Sequence, residues 1–219
     1  MEWSWFPVQL SVIVAVSSLV VNLLLSIVAV YWLVVKNVKG RAVIETIFFM
    51  PLVLPPTVIG FMLIIVFGSN SFIGNLLELI TGRSLLFTVT AAVIAAAVVA
   101  YPLMYQSIKT GVQSVDSNIL GAAKVDGAND WKLLTRIILP LSGRAILTGL
   151  ALSFTRAFGE FGATLMFAGN IPGKTQTVPT AIYLAIESGR TEIAWLYVLI
   201  SIGFSFILLL LINQLRGNR

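Results

Sequence analysis

The sequence predicts an all-α integral membrane protein, with about five transmembrane helices in one domain over residues 1–219. Three observations support this fold class. The chain is 58% hydrophobic and only 11% charged, whereas a soluble domain carries roughly a quarter charged residues. Five apolar stretches are each long enough to supply the ~20 residues with which a helix crosses a bilayer. The basic residues between these stretches are concentrated on one side of the predicted membrane.

The five predicted spans differ in how regular a helix they allow. Proline removes a backbone donor and clashes with the preceding turn, and the second span contains Pro51, Pro55 and Pro56. We therefore expect this helix to be kinked or locally opened, either to line a pathway or simply to pack. The spans lie near Val8–Val35, Val43–Phe67, Phe87–Ile108, Ile146–Ala168 and Ala194–Leu215.

The distribution of basic residues predicts the orientation. Loops on the cytoplasmic side of a membrane are enriched in Lys and Arg. With the N-terminus outside, five crossings place ten basic residues inside and three outside, so we expect a cytoplasmic C-terminus and a location in the cell (inner or plasma) membrane. The net charge of +5 then reflects cytoplasmic loops rather than nucleic-acid binding. The inside residues are Lys36, Lys39, Arg41, Lys109, Lys124, Lys132, Arg136, Arg144, Arg216 and Arg219, and the outside residues are Arg83, Lys174 and Arg190.

The composition excludes several kinds of chemistry. The sequence has no cysteine and no histidine, which removes thiolate nucleophiles, Cys/His zinc sites and a histidine general base. It also has no phosphate-binding loop of the G-x-x-x-x-G-K-[ST] type. We therefore predict no catalytic residue, no metal site and no cofactor in this chain. A membrane-embedded enzyme remains an alternative, but its carboxylates are scattered and lie mostly in loops.

The inside loop from Lys109 to Arg144 is long and polar, and it has the features of a docking element. Small residues on successive turns let another protein approach the backbone, and apolar side chains at helical spacing provide anchors. We expect Leu139 and Pro140 to end the segment, because proline disfavours helix in the residue before it. The small residues are Gly121, Ala122, Ala123 and Gly127, and the anchors are Trp131, Leu134 and Ile138.

This loop resembles the permease signature of ABC importers. The family pattern is Glu-Ala-Ala, three residues, Gly, nine residues, Ile, one residue and Leu-Pro. The chain matches it with every spacing intact and departs only at Gly121, where the family has glutamate. The resemblance implies that the loop is the coupling helix, which docks in a groove on a separate ATPase subunit that binds ATP and Mg. The matching residues are Ala122, Ala123, Gly127, Ile137, Leu139 and Pro140.

A pair of charges lies within the fourth predicted span. Arg156 and Glu160 are four residues apart, hence on one face of a helix, and charges at membrane depth usually pair with each other. The pair either locks helix packing or forms a gate. Gly159 and Gly162 beside it allow close helix contact or a kink.

The segment that follows is polar on the predicted outside. Lys174, Thr175, Gln176 and Thr177 offer a charge, hydroxyls and an amide, either to a ligand or to solvent. The apolar piece Val178–Ile186 is too short to span, so we predict either a half-helix packed on protein or an ordinary loop helix.

The runs GEFGA (159–163), GNIPGKTQTVPTAIY (169–183) and MPLVLPPTVIG (50–60) are similar to the permeases of molybdate, tungstate and sulfate importers, and most similar to the molybdate branch. The resemblance covers essentially the whole chain and implies the type I ABC importer permease fold. It also implies uptake of a tetrahedral dianion by alternating access, with an extracytoplasmic oxyanion-binding protein and a second copy of the chain as partners. A sulfate permease and an ATP-independent secondary transporter or channel are the alternatives.

A weakly polar pathway suits such an ion better than a cluster of cations, which would slow its release. The candidate pathway residues are Thr57, Ser153, Thr164 and Asn170.

Overall fold

A computed structural model describes residues 3–217, and within this part of the chain all regular structure is helical. Arg219, counted above among the cytoplasmic charges, lies outside the described residues. Three helices are long and apolar enough to cross a membrane, or up to five if each of two bent helix pairs forms one span. The three are Phe6–Val35, Val89–Gln113 and Thr191–Leu210.

The helices follow one another with short connections. Two of them continue into π-helical turns, at Tyr31–Val35 and at Leu134–Ile138. In chain order the α-helices are α1 (Phe6–Val30), α2 (Arg41–Val53), α3 (Pro56–Phe67), α4 (Phe72–Thr81), α5 (Val89–Gln113), α6 (Ser117–Val125), α7 (Asp130–Leu133), α8 (Leu139–Leu141), α9 (Gly143–Phe158), α10 (Gly162–Phe167), α11 (Val178–Glu187) and α12 (Thr191–Gly217).

Helices α1, α5 and α9 form the centre of the bundle. Helix α5 is rich in buried alanine, and small side chains let neighbouring helices approach closely in a membrane. A buried amide joins all three helices. Asn22 of α1 donates to the Ala97 carbonyl of α5 at 3.1 Å and to the Ser153 hydroxyl of α9 at 3.3 Å. Ser153 donates in turn to the Ala100 carbonyl at 3.4 Å.

The second predicted span is broken rather than merely kinked. Helix α2 ends at Val53, α3 begins at Pro56, and the two helices are bent by 119°. Leu54 and Pro55 between them are extended, with ψ of 141° and 137°. Two consecutive prolines explain the break, because each restricts the residue before it to extended conformations. Pro51 lies inside α2 without ending it.

The expectation that Leu139 and Pro140 end the docking segment is wrong. Leu139 is helical, and α8 runs through Pro140 to Leu141. The π-helical turn that precedes α8 explains this, since its wider winding relieves the clash between a proline ring and the carbonyl one turn back. The chain instead turns at Ser142, where Asp130–Leu141 and Gly143–Phe158 are bent by 77°.

The helix predicted over 146–168 is also interrupted. Helix α9 ends at Phe158 and α10 begins at Gly162, so Glu160 lies in the break rather than within a helix. The Glu160 side chain accepts a hydrogen bond from the Ala163 backbone N–H at 2.8 Å and so stabilises the start of α10. A side chain that caps a new helix in this way competes with continuation of the old one.

Two outer helices complete the fold. Helix α4 was not predicted, although Ser71 provides a clear N-cap by accepting from the Gly74 N–H at 2.8 Å. Helix α11 confirms a helix at the apolar piece 178–186, and it packs on protein through Val178, Ala181 and Ala185, which are all at most 2% exposed.

Candidate functional site: the coupling segment and the charged clusters

Helix α6 presents small residues on the surface of the protein. Gly121 and Ala122 are exposed, and a Cβ placed at Gly121 would meet no atom within 4 Å. Ala123, on the opposite side of the helix, is 9% exposed and packs into the bundle. Of the predicted small docking residues on α6, Gly121 and Ala122 are therefore accessible to a partner and Ala123 is not.

The turn after α6 gives the segment a helix-turn-helix shape. Asp116 caps α6 by accepting from the Asn118 N–H, and Asn129 caps α7 by accepting from the Lys132 N–H, both at 2.8 Å. Between the two helices Gly127 has φ of +82°, a conformation that side chains other than glycine rarely adopt. Gly127 thus has a backbone role in the turn.

Two of the three predicted docking anchors face the protein interior. Leu134 is 0% and Ile138 is 2% exposed, and both belong to a buried cluster shared with α1 and α5. This prediction was wrong because helical spacing alone does not tell which neighbour an apolar face meets. Trp131 is 51% exposed, but its ring also packs against Tyr31. The other signature positions vary in exposure: Ile137 and Leu139 are half-buried and Pro140 is exposed.

The predicted intramembrane ion pair is present with a geometry that the sequence did not anticipate. Arg156 Nη1 lies 2.7 Å from Glu160 Oε2, with side-chain exposures of 31% and 1%. The other carboxylate oxygen accepts the Ala163 N–H. One buried carboxylate therefore joins the end of α9 to the start of α10 and is satisfied on both oxygens, as a charge at membrane depth requires.

Small residues next to this pair allow α3 and α10 to pack in close contact. A Cβ at Gly162 would lie 3.0 Å from Pro56 Cβ, so no larger residue fits without a shift. Gly159, in contrast, would place its Cβ 3.5 Å from the Thr155 carbonyl, which is an ordinary contact. Of these two glycines, Gly162 is the one that the close packing of α3 and α10 requires.

A second charged cluster, centred on Glu45, was not predicted from the sequence. Glu45 of α2 binds Arg41 Nε at 2.8 Å, Lys109 Nζ at 2.9 Å and the Tyr105 hydroxyl at 2.7 Å. Its side chain is only 14% exposed. The cluster connects the start of α2 to the last turns of α5. The four-residue spacing of Arg41 and Glu45 could have predicted their ion pair. Nothing in the sequence indicated that Lys109 of α5 also binds Glu45.

The four predicted pathway residues do not share one surface. Thr57 is exposed at the start of α3, whereas Ser153 and Thr164 are 0% and 1% exposed. Ser153 makes its hydrogen bonds inside the three-helix core. Asn170 is half-buried and donates to the Thr180 carbonyl of α11 at 3.1 Å. Thr57 is the one of the four that faces away from the packed interior.

The segment before α11 is folded into the protein. Thr175, Gln176 and Thr177 are 0%, 2% and 4% exposed, and only Lys174 of this run is exposed. Thr177 and Thr180 form a reciprocal capping box at the start of α11. The expectation of hydroxyls and an amide displayed outside is therefore wrong. The hydroxyls of Thr175, Thr177 and Thr180 accept hydrogen bonds from the backbone of the loop and of α11, and the Gln176 amide is buried with Nε2 unpaired.

In residues 3–217, no group of three or more Asp, Glu, His or Cys side chains could hold a metal ion. The site thus consists of an exposed helix α6, two paired charge clusters and two bent helix pairs.

Solved structures with the same architecture are ABC transporters. The chain is similar to a chain of the bacterial alginate ABC transporter in complex with a pentasaccharide-bound periplasmic protein, with a TM-score of 0.75 and 16% identity, covering 99% of this chain and 79% of that one. It is also similar to the MetNI methionine ABC transporter in an inward-facing conformation, with a TM-score of 0.68 and 12% identity over 96% and 91% of the two chains. At these identities the likeness shows the fold, which is that of type I ABC importer permeases.

Curated relatives are similar over nearly the whole chain. A molybdenum transport system permease protein of Bacillus subtilis (strain 168), YvgM, is 52% identical over 97% of this chain and 93% of its own length. The ModB permease of Haemophilus influenzae is 42% identical over 84% and 81%. The sulfate permease CysW of Synechococcus elongatus is 28% identical over 93% and 71%.

The family model of these transporters matches residues 22–216. This range includes the loop of residues 109–144, called the coupling segment below, and both charged clusters. Members are transport subunits of the inner membrane rather than enzymes, and they work with a binding protein and an ATPase. The chain belongs to the family of binding-protein-dependent transport system inner membrane components.

Proposed function

We propose that this chain is the permease subunit of an ATP-driven importer for molybdate or tungstate, which it moves from an extracytoplasmic binding protein to the cytoplasm by alternating access. The observation that supports the ATP-driven mechanism is the coupling segment, where α6 turns its small residues to the surface while Leu134 and Ile138 fix the segment to the bundle. The relatives named for molybdenum transport, up to 52% identical, support the substrate.

The same proposal places the coupling segment in the cytoplasm. Five crossings, with each bent helix pair counted as one span, put the two termini on opposite sides of the membrane. The basic residues then favour a cytoplasmic C-terminus, because cytoplasmic loops are enriched in Lys and Arg. The signature residues of α6 and the turn at Gly127 then face a partner ATPase, which binds ATP and Mg. Trp131 lies at the edge of this surface, since part of its ring is covered by Tyr31.

Two copies of the chain enclose the pathway in this proposal. One set of helices leaves large apolar side chains exposed along α3 and α12, among them Phe61, Ile65 and Phe206 at 56%, 61% and 62%. Lipid and a second copy share this surface. Thr57, on the exposed side of the break between α2 and α3, is placed to line the passage between copies.

The bent and interrupted helices support alternating access. Bends at Leu54 and Ser142 and the break at Glu160 give the bundle places where orientation can change without unfolding a helix. The Arg156–Glu160 pair bridges one of these places and so suits a gate as well as a packing lock.

A sulfate permease is the second candidate, because the two dianions share shape and charge. The relative named for sulfate transport is 28% identical, well below the relatives named for molybdenum. A secondary transporter would need its own site for a coupling ion, and the two clusters here are internally neutralised by Arg156, Arg41 and Lys109.

Uptake of labelled molybdate by vesicles tests the proposal. The vesicles hold this chain with its partner ATPase and binding protein, and tungstate and sulfate serve as competitors. ATP-dependent uptake that tungstate blocks and sulfate does not is the expected result. Preferential sulfate uptake would reassign the substrate, and uptake without the ATPase would overturn the coupling role of α6.

A further inference from the structure

The end of α1 and the coupling segment meet through one aromatic contact. Tyr31, the first residue after α1, and Trp131 of α7 have ring centroids 5.3 Å apart and planes at 89°. This edge-to-face geometry is a preferred arrangement of aromatic pairs, and it depends on the relative orientation of the two rings. Tyr31 is half-buried and Trp131 is half-exposed. The contact therefore lies where the segment that carries the docking surface touches the bundle.

The Tyr31 ring has further contacts within its own turn. Lys36 Nζ lies 5.4 Å from the centroid of Tyr31 and 4.7 Å from that of Trp32, both within cation–π range. The rings of Tyr31 and Trp32 also contact each other edge to face, at 5.6 Å. The Lys36 N–H donates to the Tyr31 carbonyl at 3.0 Å and closes the wide turn. These contacts fix Tyr31 relative to α1, so that it presents a defined surface to Trp131.

Each partner of this contact lies beside a π-helical turn. Tyr31 begins the turn Tyr31–Val35, and Trp131 precedes the turn Leu134–Ile138 by three residues. Such turns make up well under 1% of residues and occur often at functional sites. The two turns also share one buried cluster, which includes Leu33, Leu134 and Ile138. The two π-helical turns are thus joined by buried apolar side chains and, next to them, by the partly exposed aromatic contact between Tyr31 and Trp131.

We propose that Tyr31 is a positioning residue for energy coupling, which passes displacement of the coupling segment to α1 through its contact with Trp131. The proposal rests on the proposed function, since it assumes that a partner ATPase moves the segment. The buried cluster alone holds the segment against the bundle, and apolar contacts are not directional. The edge-to-face pair adds direction, because a shift of Trp131 along the ring edge changes the contact and pushes on a side chain fixed to α1.

The test measures how much molybdate is transported per ATP hydrolysed, in liposomes containing this chain, its ATPase and its binding protein. Tyr31→Leu removes the ring, and we expect it to lower this ratio about fivefold or more while the complex still assembles and hydrolyses ATP. Tyr31→Phe keeps the ring and is expected to keep the ratio. Trp5→Leu is the matched control, because Trp5 is an exposed aromatic residue at the other end of α1 whose ring contacts Trp3 rather than Tyr31 or Trp131.

A second variant separates coupling from folding. The chain has no cysteine, so Tyr31→Cys with Trp131→Cys gives a single pair that a short thiol cross-linker can join. We expect the open pair to have a low ratio and the cross-linked pair to regain most of it. An unchanged ratio in Tyr31→Leu, an equal loss in Trp5→Leu, or no regain on cross-linking would overturn the proposal.

Two other outcomes are also decisive. If both Tyr31→Leu and the open cysteine pair fail to assemble, Tyr31 is needed for the fold and the positioning role is wrong. If the unaltered chain shows no ATP-dependent uptake, the proposed function itself fails. An unaltered chain that transports normally beside a Tyr31→Leu chain with the same ratio would reject only the role of Tyr31.

Discussion

Gly60 of α3 faces Met166 of α10 so closely that a Cβ at Gly60 would lie 2.6 Å from the Met166 Cβ. It would also lie 3.0 Å from Ala163 Cα and 3.1 Å from its carbonyl oxygen. Backbone atoms cannot move aside as the end of a side chain can. The helix that follows the proline break is thereby joined to the helix that follows the Glu160 break.

Gly60→Val is expected to destabilise the protein through this contact. Overpacking typically costs about 1–3 kcal/mol, and we expect the upper part of that range because a backbone wall limits relaxation. Thermal denaturation of the purified protein in detergent measures the loss. Gly203→Ala in α12 is the control, since a Cβ there meets no atom within 4 Å and alanine favours helix. Equal melting temperatures for Gly60→Val and the unaltered chain would contradict the close packing.

Arg156→Ala is expected to destabilise the junction between α9 and α10. It leaves the Glu160 carboxylate, whose side chain is 1% exposed, without its cation. We expect a loss of roughly 1–3 kcal/mol, below the 3–5 kcal/mol typical of a fully buried pair, because the Arg156 side chain is 31% exposed. Transport should fall as well.

The double variant Arg156→Ala with Glu160→Gln tests the reason for that loss. Glutamine removes the charge and keeps an oxygen that can accept the Ala163 N–H, so the double variant should melt closer to the unaltered chain than Arg156→Ala does. If the double variant is less stable than the single one, an unpaired charge is not the cause.

Glu45→Gln is expected to loosen α2 from α5. The substitution weakens the contacts to Arg41, Lys109 and the Tyr105 hydroxyl, and hydrogen bonds to charged groups contribute about 1.5–3 kcal/mol each. Tyr105→Phe removes a single bond and should cost less. Denaturation in detergent compares the variants, with Glu78→Gln on the separate helix α4 as control. A larger loss in Tyr105→Phe than in Glu45→Gln would show that Glu45 is not the centre of the cluster.

Gly121→Leu is expected to block docking of the ATPase without changing the fold. Gly121 is exposed, and its backbone does not need glycine, so an added side chain meets only the partner. Co-purification with the ATPase should be lost while the melting temperature stays the same. Gly121→Glu is the matched control, because glutamate is the residue of the permease signature at this position and should be tolerated.

Gly127 allows a sharper comparison in the same assay. A large residue there would combine backbone strain, from φ of +82°, with a block to docking. Asparagine adopts that conformation more readily than leucine does. Gly127→Asn is therefore expected to retain more ATPase binding than Gly127→Leu. Full ATPase binding by Gly121→Leu would mean that α6 is not the docking surface.

Composition was enough to predict the membrane class, and the resemblance of short sequence runs was enough to predict the family, since each depends on local sequence. The apolar stretches predicted most of the long helices but neither α4 nor the breaks within the second and fourth spans. Pro55 and Pro56 correctly marked the second span as irregular, but a bend of 119° also depends on packing such as that at Gly60. The break at Glu160 was not predicted, because an apolar run around Arg156 and Glu160 reads as one helix. Only the structure shows the carboxylate capping the next helix.

In the coupling segment, too, some features could be predicted from local sequence and others depend on tertiary packing. The exposed residues Gly121 and Ala122 were recognised from a spaced pattern that needs no tertiary information. The inward direction of Leu134 and Ile138 depends on which helices surround them. Glu45 was overlooked for a related reason, as its partner Lys109 is distant in sequence and approaches only when α2 crosses α5.

The amide of Asn22 limits how this protein can move. It bonds to the Ala97 carbonyl and the Ser153 hydroxyl, and sliding α1 by even one residue would leave these groups unpaired in hydrocarbon, at a cost of several kcal/mol. The three central helices are therefore held in register and move as one unit, so that a displacement passed to α1 is shared by α5 and α9. Motion of other helices relative to this unit then takes place at the bends at Leu54 and Ser142 and at the break at Glu160.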